Sequence, residues 1–191
     1  MRVVAFSGSA RKNGNSAVMV RAVFDELAKA GVETELVQLA GESVHGCRAC
    51  YVCARRKDRR CSHDDDVVNG CIEKMIAADG IILASPTYFA DVTPEIKALI
   101  DRAGMVAITN DALLRRKVGA GISVARRGGA IHTFDSLNHF FLISQMIVPG
   151  SSYWNLGFGM DKGDVSSDEE AMSVMRTLGQ NMAWLLGKLG A

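Results

Sequence analysis

Apolar residues fall along this chain in two rhythms that alternate. Short runs are apolar throughout or at every second position, which suits strands. They are Val3–Phe6, Val32–Leu39, Gly80–Pro86 and Val118–Ala125. Between them, apolar residues recur every three or four positions, the period of a helix with one buried face. Residues 16–30 carry Val20, Val23, Phe24 and Leu27 on one stripe, and Gly31 suits the residue after the helix end. A second stripe holds Val68, Ile72 and Ile76 beside Val67, Cys71 and Met75. Pro94 opens a third helix with Ile96, Leu99, Ile100 and Ala103. Residues 131–146, with Phe134, Leu137, Phe141 and Ile143, make a fourth. Ser167-Asp-Glu-Glu170 is a capping box for a last helix striped by Met175, Leu178, Met182, Leu185 and Leu189. A fifth strand is expected at Ile147-Val148 or Ser151–Trp154, beside a glycine- and aromatic-rich loop that runs from Pro149 to Gly163.

Five such alternations predict an α/β domain, an open parallel sheet with helices on both faces. A ligand then belongs outside the carboxyl ends of the strands, where the order of strands reverses. Three loops meet there: Ser7–Ser16, Pro86–Thr93 and Ala125–Ala130.

A length of 191 residues predicts one domain, residues 1–191. A formal net charge of +1 with 48% apolar residues excludes disorder and lends no support to nucleic-acid binding. No stretch approaches a membrane span, the first apolar run is too short for a signal peptide, and cytoplasm is the expected location. One segment breaks the pattern. Residues 41–65 have no apolar period, and a loop that long calls for a function or a tether.

The first loop offers phosphate chemistry. A buried strand that feeds a small-residue loop and then a helix start aims unpaired N–H groups and the positive end of the helix dipole at one point. Ser7, Ser9, Arg11, Asn13, Asn15 and Ser16 are the candidate cofactor-binding side chains there. The loop matches neither the dinucleotide nor the Walker fingerprint, and it suits a flavin monophosphate better than a triphosphate with magnesium. An ordinary turn rich in turn formers has the same composition.

In the second loop, Pro86, Thr87, Tyr88, Phe89 and Asp91 mix polar groups with aromatic faces. A flat tricyclic ring needs that mixture, and so does a loop that caps a core. Arg126 and Arg127 in the third loop can face a flavin phosphate, a partner or solvent. His132, Asp135 and His139 fit one exposed helix face better than a metal site.

Cys47-x₂-Cys50-x₂-Cys53-x₇-Cys61 is the sharpest local signal. Three closely spaced thiolates and one from a return loop suit a [4Fe–4S] cluster, with zinc second and four free cysteines as the plain alternative. The spacing is not the ferredoxin run. Five basic residues between Cys53 and Cys61 can steer an acidic partner. Cys71 belongs to the core.

Taken together, Ser7-Gly-Ser-Ala-Arg11 with Asn15-Ser16, the cysteine motif and Ala78-Asp-Gly-Ile-Ile-Leu-Ala-Ser-Pro-Thr-Tyr88 resemble the iron–sulfur flavoproteins. These belong to the NADPH-dependent FMN reductase-like, flavodoxin-like group. Lys97–Arg102 and Lys117–Val124 extend the resemblance. It implies a flavodoxin-like five-stranded sheet in the order 2-1-3-4-5, with residues 41–65 as a cysteine-rich insertion. It implies FMN with its phosphate at Ser9, Arg11, Asn15 and Ser16 and its ring against Pro86–Phe89 and Asp91. It further implies a cluster on Cys47, Cys50, Cys53 and Cys61 near a subunit interface, in a homodimer or homotetramer.

The activity so implied is FMN-dependent electron transfer, the cluster relaying electrons between a ferredoxin-like donor and the flavin. A cluster-free NAD(P)H-dependent FMN or quinone reductase acting on a small-molecule acceptor is the alternative. A flavin-binding redox sensor is a third reading.

Overall fold

The computed structural model describes residues 1–190. Five strands form one parallel sheet: β1 (Arg2–Ser7), β2 (Glu33–Gln38), β3 (Gly80–Pro86), β4 (Val118–Ala125) and β5 (Leu156–Phe158). Their order is β2-β1-β3-β4-β5, as expected of a flavodoxin-like sheet. Six helices accompany them: α1 (Asn15–Lys29), α2 (Val52–Arg56), α3 (Val68–Ala77), α4 (Pro94–Thr109), α5 (Ala130–Ile143) and α6 (Glu169–Leu189). None is long and apolar enough to cross a membrane.

The period of two along each strand sorts side chains between two layers. Val3 and Ala5 of β1 join α1 and α6 on one face. Val4 and Phe6 join α3, α4 and α5 on the other. Residues such as Phe6, Leu83 and Leu99 are fully buried, each contributing about 2 kcal/mol by apolar transfer. On β4, Val118, Ala120 and Ile122 face the α1 and α6 layer, whereas glycine occupies the alternate positions. A Cβ at Gly119 would stand 2.6 Å from the Phe141 ring, so the missing side chain lets α5 close on the sheet.

Three boundaries differ from the sequence expectation, each for a physical reason. The fifth strand is Leu156–Phe158, not Ile147-Val148 or Ser151–Trp154. Ile147 makes only an isolated bridge to Val118, and pairing resumes at Ser123 with Leu156. Between these two pairing points the edge has eight residues against four of β4, and the surplus bulges outward with Tyr153 and Trp154 exposed. Buried Asn155 clamps the return, donating to the Gly121 carbonyl at 3.0 Å. The cap of α6 is Asp168, whose carboxylate accepts from the Ala171 N–H at 3.1 Å, while Ser167 ends a preceding 3₁₀ turn. In α5, Ile143 lies outside the buried stripe and is 68% exposed.

Candidate functional site

Two regions gather the residues singled out by the sequence. The first is a cleft of about 260 Å³ at the carboxyl ends of β1, β3 and β4. Ser9, Arg11, Asn15, Ser16, Pro86, Thr87 and Tyr88 line it. Gly14 precedes α1 in extended conformation without a side-chain cap, and the first turn carries no acidic residue. The positive end of the dipole is therefore uncompensated. Ser16 is buried, and its hydroxyl has no hydrogen-bond partner. An orphaned donor beside an uncapped helix start fits an anionic oxygen.

Asn15 and Arg11 work differently from the expectation of simple phosphate donors. The Asn15 amide donates to the Asp161 carbonyl at 2.9 Å and accepts from Gly163 N–H at 2.8 Å. Arg11 donates to the Met160 carbonyl at 2.6 Å. Both tie the segment after β5 against the first loop, and Gly159 and Met160 complete the cleft wall together with Val124 and Arg126. A Cβ at Gly159 would fall 2.7 Å from the Asn15 amide nitrogen, so only glycine fits this crossing. Sequence reasoning missed Val124, Gly159 and Met160. The glycine-rich stretch before the last helix was the only signal for the latter two.

Four of the candidate residues lie outside the cleft lining. Ser7 is still within β1, buried, with its carbonyl accepting from Leu39 N–H. Asn13 turns outward to Arg21 and Gln38. Phe89 and Ala90, both with positive φ, form the tip of a tight turn between Tyr88 and Asp91, and the Phe89 ring is fully exposed. Asp91 faces a groove between α4 and α5, 3.8 Å from exposed His132. Thr87 is held by its neighbours, accepting a hydrogen bond from the Thr133 hydroxyl at 3.1 Å.

The second region is a cavity of about 400 Å³ that Cys47, Cys50, Cys53 and Cys61 all line. Cys47 and Cys50 are exposed, Cys53 is buried and Cys61 is intermediate. The cysteine segment folds around the short helix α2, bracketed by Tyr51 and Lys57 in left-handed conformation. Few of its side chains reach the core, so polar anchors hold it. Asn69 grips the Cys61 backbone from both sides, at 2.8 and 2.9 Å. Asn110 accepts from Arg59 N–H at 3.1 Å and donates to the Cys53 carbonyl at 3.4 Å.

Arg102 is the principal anchor. Its side chain and that of Asp66 are both fully buried and paired. The guanidinium also donates to the His45 carbonyl at 3.1 Å, the His63 carbonyl at 2.5 Å and the Cys61 sulfur at 3.4 Å. Burial works against the Asp66 charge. Hydrogen bonds from Arg102, His45 N–H and Val68 N–H outweigh it and hold the carboxyl below its usual range. The Cys50 thiol is drawn down chiefly by the Ser62 hydroxyl, 3.3 Å away, and then by the backbone. A buried cation, N–H and O–H donors to sulfur, and apolar Met105 and Val106 suit a group built on thiolates. Among the described residues, the group of metal-type ligand atoms within 4.8 Å of one another is His63, Asp65 and Asp66, not the cysteines.

Comparison with known proteins gives the family and the fold. Residues 1–161 match the family model for NADPH-dependent FMN reductase. An iron–sulfur flavoprotein of Methanocaldococcus jannaschii is 37% identical over 96% of each chain. The structure of RosB with a bound intermediate, 8-demethyl-8-formylriboflavin-5'-phosphate, superposes with a TM-score of 0.75 at 17% identity, covering all of this chain and 80% of that one. The NAD(P)H:quinone oxidoreductase of Methanothermobacter marburgensis gives 0.69 at 17% identity, covering 95% and 96%. The two solved structures share the fold.

Proposed function

This chain belongs to the NADPH-dependent FMN reductase family, among relatives named iron–sulfur flavoproteins, and on that premise we propose a two-centre electron-transfer enzyme. It is a flavoprotein oxidoreductase. The finer reading gives FMN the cleft at the strand ends and a [4Fe–4S] cluster the cysteine cavity, with a ferredoxin-like donor supplying electrons. The single observation that carries it is the sharing of one cavity by all four motif cysteines beside buried Arg102.

When bound, FMN supplies two-electron chemistry and a cluster supplies one-electron steps. The protein's own groups position and tune. Ser16, the Ser9 hydroxyl and the uncapped start of α1 face the flavin phosphate, with Arg126 adding charge at the wall. Pro86, Thr87 and Tyr88 take the ring edge, and the exposed Phe89 turn stands beside them. Cys47, Cys50, Cys53 and Cys61 ligate the cluster, and the Arg102 guanidinium offsets its negative charge. Thr93, which caps α4, follows the flavin-side loop directly, and Arg102 lies eight residues beyond Pro94. At 1.5 Å per residue, α4 links the two regions over about 12 Å.

Iron and FMN per chain, measured in protein purified without oxygen, test this. About four irons with one FMN is the expected result, and Cys50→Ser then loses iron while keeping FMN. Near-zero iron with FMN retained and rapid NAD(P)H oxidation overturns it. That outcome favours a cluster-free NAD(P)H-dependent reductase, the reading that the family model's own description supports.

A further inference from the structure

Three hydroxyls from three different elements meet at the wall of the cleft at the strand ends. Thr87 follows β3, Ser123 belongs to β4 and Thr133 to the first turn of α5. Ser123 and Thr133 are both fully buried. Their hydroxyls converge on one atom. Thr133 Oγ1 donates to Thr87 Oγ1 at 3.1 Å, and Ser123 Oγ lies 3.3 Å from the same oxygen. Thr87 is the member of the three that lines the cleft. Its backbone N–H donates to the Val124 carbonyl at 2.7 Å, and its methyl group stands against Gly129, where a Cβ would come within 3.4 Å. Thr87 is thus held from two sides.

The three hydroxyls carry three protons, and a buried proton needs an acceptor. The Thr133 proton goes to Thr87. Among the described residues, Thr87 Oγ1 is also the partner of Ser123 Oγ. Donation from Thr87 to Ser123 would strand the Ser123 proton in a fully buried site. Donation from Ser123 to Thr87 strands nothing. It fills the second lone pair of Thr87 and leaves over the Thr87 proton, on the one residue of the three that borders the cleft. A hydroxyl that accepts twice is also polarised into a stronger donor.

We propose that Ser123 and Thr133 are positioning residues that make Thr87 a fixed hydrogen-bond donor to the ring of FMN and so raise its reduction potential. The proposal rests on the reading that gives the cleft to FMN. Reduction adds electron density to the ring. A donor that cannot reverse its direction stabilises the electron-rich form more than the oxidised one. The three hydroxyls supply this one hydrogen bond, and no proton or electron passes through them.

The test uses the holoprotein, with iron and FMN per chain measured first. Spectroelectrochemical titration gives the midpoint potential of the flavin, and fluorescence gives the dissociation constant of oxidised FMN. Thr87→Val should weaken reduced FMN relative to oxidised FMN by about tenfold, a drop of about 30 mV for a two-electron couple. That variant strands the two buried donors, so Thr133→Val and Ser123→Ala, which strand none, carry the decision if it does not fold. Each should lower the potential by part of that amount, and the double variant by more than either. Thr133→Ser, which keeps the hydroxyl, should hold the wild-type value. Wild-type potentials in Thr133→Val, Ser123→Ala and the double variant, with FMN bound, overturn the proposal, even where Thr87→Val lowers the potential. A drop in Thr133→Val that Thr133→Ser shares overturns it as well and assigns the effect to packing. Wild-type protein that retains no FMN after incubation with an excess removes the flavin reading itself, and the proposal with it.

Discussion

The two regions are built by opposite means. The cleft at the strand ends is a product of topology: β1, β3 and β4 deliver three loops to one point, where Ser9, Ser16 and the uncapped start of α1 meet. The cysteine segment has little apolar anchorage. Side chains from the framework hold it in place: Asn69 of α3, Arg102 of α4 and Asn110 just after α4. The cleft draws its donors from separate loops, so the loss of one leaves the others in place. A segment held by three buried polar side chains has no such reserve, because each cut leaves a desolvated group unpaired.

That contrast can be broken most severely at Arg102. Arg102→Leu leaves the Asp66 carboxylate buried without its cation, at a cost of about 3–5 kcal/mol. Iron content should collapse and proteolysis should open residues 41–65, while FMN still binds. Equal loss of FMN and iron would show that the two regions are not separable. Ser16→Ala is the mirror experiment and the smaller effect. Removing one hydroxyl donor to phosphate weakens FMN binding by about tenfold, the equivalent of roughly 1.4 kcal/mol. Urea stability without FMN should not fall, since the hydroxyl has no partner to lose. Fluorescence titration with FMN reads the first effect, and iron per chain should be unchanged.

A third test sharpens the comparison from the core between them. Cys71 on α3 is buried, and desolvation pushes its thiol up from 9.0 to about 11. In the unfolded chain that thiol ionises first, so the native state holds the proton longer. Its contribution is complete below pH 9 and is lost as pH rises toward 11. Urea midpoints measured across that window should decline, and less steeply in Cys71→Ala. An identical slope in the variant would assign the decline to other groups.

Much of both regions was legible because it depends on local composition. The cysteine spacing, the serine-lined loop after Val3–Phe6 and the Pro86–Tyr88 turn stand in the sequence as short contiguous patterns. Arg102 shows the limit. It was visible as part of Lys97–Arg102, but only folding reveals that its guanidinium reaches His45, Cys61, His63 and Asp66, 36 to 57 residues away. Gly159 and Met160 were hidden for the same reason, since Asn15 and Arg11 grip that segment across nearly 150 positions.

The sequence by itself determined the alternation of strands and helices, hence the parallel sheet and the end at which ligands sit. It did so because hydrophobic period and turn chemistry act between near neighbours. Tertiary structure decided which side chains bind and which only hold. Asn15 became a tether, Asn13 and Asp91 turned away from the cleft, and β5 began at Leu156 because its pairing partner on β4 lies there. Those outcomes turn on which distant groups need a partner once water has been removed, and no local pattern records that.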